Sequence, residues 1–156
     1  MANTLEKKIE HSLLAGKSKQ QTLDDLRQQD DAVEIISILN DLSYPGRRQK
    51  ILAANIFLIL SVLTITGRQL FVAFQDGFVS PLLLILSMIV PSIHLYLLKK
   101  IFRFQKMGYQ FMGILAALAL IRPENRLPPN LYLYLIIAAL SGLLFFFLFP
   151  KNEQLT

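Results

Sequence analysis

The chain has 156 residues, of which 53% are hydrophobic and only 17% charged, and it contains no cysteine and no tryptophan. Average soluble domains carry about 25% charged residues, so this sequence is short of surface material. The composition excludes an intrinsically disordered chain, a disulfide scaffold and any thiolate metal site.

Charge divides the chain in two. Residues 1–46 carry five basic and eight acidic residues, a net −3, whereas residues 47–156 carry eleven basic and three acidic residues, a net +8. The basic excess therefore sits in the half that also holds the apolar blocks. Lys and Arg flanking apolar segments are topology signals rather than a nucleic-acid groove.

Residues 1–46 predict a small head of three short helices. Asn3 with Glu6 resembles a capping box, and Leu5, Ile9 and Leu13 recur at spacing four with Leu14 beside them. Gly16 is a helix stop. Ser18 with Gln21 repeats the capping box, and Thr22, Leu23 and Leu26 supply a second apolar face. Asp30 and Asp31 precede a third helix, whose face is Val33, Ile36 and Leu39 joined by Ile35, Ile38 and Leu42. Ser43-Tyr44-Pro45-Gly46 breaks the chain.

Residues 47–150 predict a transmembrane bundle, and 151–156 a short tail. Four apolar blocks run from Ile51 to Thr66 (extendable past Arg68 to Phe74), from Gly77 to Leu98, from Met107 to Ile121 and from Leu131 to Phe149. About 20 apolar residues cross a ~30 Å hydrocarbon layer. The third block has 15 residues and is short; starting it at Ile101 brings it to length. The expected fold is thus all-α: an integral membrane protein of about four transmembrane helices behind a three-helix cytoplasmic head. No continuous apolar core lies in the first 20 residues, so attachment is expected from the spans and not from a removable signal peptide.

Basic residues set the orientation. With four spans and a cytoplasmic N-terminus, eight lie inside and Arg68, Arg122 and Arg126 outside, so the C-terminus is also cytoplasmic. A three-span arrangement gives nine inside and two outside, a slightly better charge count. Four is preferred because the uncharged stretch from Ile114 to Ile121 has little reason to stay in water. A bacterial inner (plasma) membrane is the expected location.

Several intramembrane residues stand out. His94 is the ionisable group inside a block, expected to reach the nearby cytoplasmic interface. Asn55 is expected to bond to a neighbouring helix. Pro91 is expected to kink the second span, with Ser87 or nearby backbone absorbing the freed carbonyl. Gly113 with Ala117, and Ala138 with Gly142, are small-residue pairs at helix-packing spacing. Lys99, Lys100, Arg103 and Lys106 interleave with aromatics between two blocks and are read as anchors on lipid headgroups.

Catalytic patterns are mostly missing. Ala15-Gly16-Lys17-Ser18 lacks the upstream glycine and strand of a phosphate-binding loop. His11 and His94 have no partner at ligand spacing, so neither metal nor cofactor is expected. The expected function is a non-enzymatic interaction or scaffold subunit presenting the head. The alternative is an oligomeric small transporter or channel subunit, with Pro91, His94 and Asn55 along the path. A membrane enzyme ranks last, its acid-base material being His94, Asp76 and Glu124. Expected partners are membrane lipids, a protein partner at the head and further copies of the chain, with no nucleic acid.

Overall fold

A computed structural model describes residues 2–27, 31–77, 81–150 and 153–155. Its regular structure is helical throughout, in eight α-helices. Three short ones come first: α1 (Ala2–Leu14), α2 (Lys19–Leu26) and α3 (Ala32–Asp41). Their boundaries follow the capping chemistry. Gly16 takes φ +85, the left-handed conformation that ends a helix at low cost only for glycine. Ser18 Oγ accepts from Gln21 N, and Gln21 Oε1 accepts from Ser18 N, a complete capping box. Asp31 accepts from Val33 N at the start of α3. The first start signal is displaced: α1 already runs at Ala2, which puts Asn3 within the first turn.

Leu5, Ile9 and Leu13 meet Leu23, Leu26, Ile35, Leu39 and Leu42 in one small core. The third face is rotated from the expected one. Ile35, Leu39 and Leu42 are buried, whereas Val33 is 74% exposed. Leu14, expected beside the first face, also points outward. Instead of a plain break at residues 43–46, a six-residue helix α4 (Pro45–Lys50) follows, with Pro45 in its first turn, where its missing N–H costs nothing.

Four longer helices form the second unit: α5 (Leu52–Gly77), α6 (Pro81–Phe102), α7 (Lys106–Ala119) and α8 (Asn130–Leu148). They pack in a ring in which α5 touches α6 and α8, and α7 touches α6 and α8. Their inward residues, among them Leu58, Val62, Ile101, Tyr109, Met112 and Ile137, make a core separate from that of the head. Their outward faces carry exposed Phe57, Leu60, Phe71, Phe74, Leu82, Ile85, Leu143 and Phe146. An apolar exterior on that scale needs a lipid solvent. Three helices are long and apolar enough to cross a membrane: Leu52–Gln75, Pro81–Phe102 and Asn130–Leu148, of 24, 22 and 19 residues. At 1.5 Å per residue these reach roughly 36, 33 and 28 Å. With these spans the chain is an integral membrane protein.

α7 has 14 residues, or roughly 21 Å. Extension of this helix back to Ile101 does not occur, because Ile101 belongs to the end of α6 and the chain turns a corner at residues 103–105. Phe104 takes φ +53 at that corner. At its other end α7 is closed by side chains: Asn125 Nδ2 donates to Ala119 O, and Arg126 donates to Leu120 O and Ile121 O. A cation on the last carbonyls of a helix also suits its dipole.

Candidate functional site

The first candidate lies at the end of the bundle away from the head. A cavity of about 790 Å³ opens between α5, α6, α7 and α8. That volume falls within the roughly 300–1,000 Å³ typical of small-molecule sites. Its rim is polar, with Arg68 and Gln69 from α5, Arg122 and Glu124 from the turn after α7, and Asn130 and Tyr134 from α8. Its walls are apolar, and His94 and Pro91 line its depth.

His94 is 4% exposed, and its Nδ1 lies 3.3 Å from Thr66 Oγ1 on α5. The expected reach to the head-side interface therefore fails. Interhelical packing holds the ring between spans, and the hydroxyl of Thr66 supplies the polar partner that lipid would not. Pro91 is buried beside it, and α6 continues through it from Pro81 to Phe102. The hydroxyls near it go to earlier carbonyls, Ser87 Oγ to Leu83 O and Ser92 Oγ to Met88 O.

Asn55 does not share this cavity. It lies near the head, where Tyr109 Oη donates to Asn55 Oδ1 at 2.7 Å, joining α5 to α7 across the inside of the ring. The expectation of an interhelical bond is met, and the expectation of one path through Asn55, Pro91 and His94 is not. A buried layer including Val62, Leu97 and Met112 separates the two sites along the chain direction of the helices.

Of the small-residue positions, Gly113 meets α8 directly. A Cβ there would stand 3.4 Å from Ser141 Cβ and 3.9 Å from Ala138 O. Ala117 is exposed and lies off the contact, and a Cβ on Gly142 would meet nothing within 4 Å. The tightest glycine was missed by the sequence reading. A Cβ on Gly108 would stand 2.8 Å from Ile101 N and 2.9 Å from Lys100 Cβ. Its signal was a small residue just after a sharp basic corner.

The second candidate is the junction of head and bundle. Glu6 pairs with Arg103 at 2.8 Å and also accepts from Gln105 Nε2. Glu10 pairs with Arg48 at 2.8 Å, and Arg48 stacks over the ring of Phe104 at the corner. Leu42 and Gln105 form an isolated backbone bridge, and Met107 N donates to Asp41. The C-terminal residues join the same assembly. Asn40 exchanges two hydrogen bonds with the Leu155 backbone, and Glu153 pairs with Arg47. Of the basic residues read as lipid anchors, Arg103 is thus spent on the head. Lys106 lies over Phe145, Lys100 lies near the Tyr96 ring, and Lys99 is exposed.

Lys19 in α2 is 6% exposed, with its ammonium over the Tyr44 ring. Burial lowers its pKa from 10.5 to about 8, against an opposing pull from Glu153. No group of three or more His, Cys, Asp or Glu able to hold a metal occurs among the described residues. The side chain of Asp76, named with His94 and Glu124 as acid-base material, lies outside the described residues. No protein-family model, curated protein or solved structure matches the chain.

Proposed function

We propose that the chain is a small multi-pass membrane interaction subunit without catalytic activity, which presents its helical head at the cytoplasmic face. The observation that carries this reading is the double nature of the head. It has its own apolar core, yet it is clamped to the bundle by the Glu6–Arg103 and Glu10–Arg48 pairs. A partner that loads the head is therefore mechanically tied to the spans. The outward Val33 and Leu14, with the neighbouring acidic Glu34, offer the contact surface.

In this proposal α7 is a fourth, short crossing. It runs beside α6 and α8 and shares their core, and its 14 residues keep the C-terminus on the head side. The contacts of Asn40 and Arg47 with residues 153–155 support that placement. A topology reporter fused after Thr156 should read cytoplasmic; an extracytoplasmic signal defeats the four-span arrangement.

The test of function is a native pull-down of the full chain in mild detergent, beside Val33→Glu and Leu14→Glu. Loss of the same partner from both variants, with membrane insertion intact, is the expected result. An unchanged set of partners counts against the reading. The transporter alternative draws on the cavity, but its inner end stops at the packed layer of Val62, Leu97 and Met112. Transport would need that layer to open.

A further inference from the structure

We propose that the cavity away from the head binds one molecule of an anionic, hydroxyl-bearing phospholipid, its headgroup on the polar rim and an acyl chain along the apolar wall. This rests on the membrane embedding and not on the role of the head.

Four observations converge. The first is the free positive charge. Arg68 is exposed, lines the rim and makes no ion pair or hydrogen bond among the described residues. Arg122 does have a carboxylate neighbour, Glu124, at 3.4 Å, but both side chains are largely exposed at 70% and 61%. The rim thus keeps a net positive charge, and an arginine guanidinium is the side chain best shaped for a phosphate. The second is an unused donor. Tyr134 Oη accepts from Gln69 Nε2 at 2.9 Å, and its own hydroxyl proton has no acceptor among the described residues.

The third is a pair of unmet acceptors. Gln69 Oε1 and Asn130 Oδ1 are buried without a hydrogen-bond partner, and both residues line the cavity. Neither oxygen is open to a water-sized group in this arrangement, so a rotation of the two rim amides would turn them toward a hydroxyl donor and relieve the cost of leaving them unpaired. A phosphodiester alone offers no such donor; a headgroup with hydroxyls offers both charge and donors. A choline headgroup offers neither net negative charge nor a donor.

The fourth observation identifies the source. Val72, Leu86, Val90 and Leu118 line the cavity and are each at least 43% exposed, so its wall is open and apolar. The cavity wall is therefore continuous with the lipid-facing surface, and a bilayer lipid can enter sideways with one chain still in lipid. A water-soluble phosphate compound would gain nothing from those walls.

The experiment is native mass spectrometry of the full chain in detergent, titrated with phosphatidylglycerol, phosphatidylcholine or inorganic phosphate. Wild type should retain one phosphatidylglycerol at about tenfold lower concentration than phosphatidylcholine, the difference expected for one charge-assisted contact. Arg68→Gln should erase that preference, and Arg68→Lys should restore part of it. Asn130→Leu should weaken phosphatidylglycerol retention by a smaller factor. Lys8→Gln, exposed on α1 in the head, should change nothing and controls for the loss of one positive charge. Equal retention by Arg68→Gln and wild type overturns the site, as does an equal loss in Lys8→Gln. Displacement of the lipid by millimolar inorganic phosphate overturns the lipid as occupant.

Discussion

The bond between Tyr109 and Asn55 offers a direct test of how the bundle is held together. Tyr109 is fully buried and Asn55 is 2% exposed, so neither group has water as a substitute partner. The phenol donates to Asn55 Oδ1 at 2.7 Å, and its only other acceptor among the described residues is Ile101 O at a long 3.4 Å. Tyr109→Phe strands the Asn55 carbonyl oxygen in the core, and Asn55→Leu leaves the phenol only the long contact to Ile101 O. Each single variant should lose about 1–2 kcal/mol, the cost of one unpaired buried group. The double variant Asn55→Leu/Tyr109→Phe strands nothing, so its loss should fall short of the sum of the singles by about 1 kcal/mol, near the upper range for bonds between membrane helices. Unfolding in mixed micelles with increasing dodecyl sulfate, followed by circular dichroism, measures all four species. Additive losses, or a Tyr109→Phe variant as stable as wild type, would refute the claim that this bond joins α5 to α7.

Lys19 makes the head sensitive to pH with a definite sign. Its folded pKa of about 8 lies below the ordinary 10.5, so the unfolded chain binds the proton more tightly, and head stability should rise as pH climbs from about 8 to about 10.5. The full difference corresponds to about 3 kcal/mol, so Lys19→Met should raise hydrogen-exchange protection of residues 31–42 at pH 7 in the full chain and flatten its pH dependence; equal slopes in both proteins would refute this. Gly108→Ala should cost at least about 1–3 kcal/mol, because the added methyl meets the backbone of Ile101 and not a movable side-chain tip; a neutral result in the same micelle titration would mean that α6 and α7 separate freely. Ser141 Oγ is buried and unpartnered, so Ser141→Ala should be neutral or stabilising, by up to about 1 kcal/mol; a clear loss of stability would show that the hydroxyl has a partner after all.

What the sequence disclosed and what it hid follow from the range of the interactions concerned. Gly16, Ser18 with Gln21, and Asp31 act within one turn of chain, so their roles were legible in the local pattern. The long apolar blocks were legible because solvent preference is a sum over residues. Asn55 was legible as a polar group with no water to turn to. Its partner was not, because Tyr109 lies 54 residues away and reads as an ordinary aromatic near a helix start. The same limit hid the head–bundle clamp: Arg48 and Arg103 look like standard membrane-flanking cations until the fold brings Glu10 and Glu6 to them. Val33 misled because the apolar residues of α3 exceed the width of one face, and only the packing of α1 and α2 selects Ile35 and Leu39 over it. The cavity was not legible at all. Its rim gathers residues of α5, α8 and the turn after α7, none of which forms a motif along the chain.

The short length of α7 and the presence of the cavity are two consequences of one geometric mismatch. Asn55 and Tyr109 meet near the head, which fixes the relative height of α5 and α7. From that level α5 continues 22 residues to Gly77, roughly 33 Å, while α7 continues 10 to Ala119, roughly 15 Å. Gln69 on α5 meets Tyr134, one turn inside the start of α8, so α5 still runs about 12 Å past that contact. The α5–α6 pair therefore overhangs the α7–α8 pair at the end away from the head. Non-helical chain placed below that overhang needs polar company, since lipid supplies none. Asn125 and Arg126 close the carbonyls of α7, and Arg68 and Gln69 face the same recess from α5. A full-length α7 would have filled the recess with apolar side chains and removed the need for any of these groups. The polar rim is thus the counterpart of a helix that stops early, and Arg68, midway along an otherwise apolar stretch of α5, has its reason in that stop.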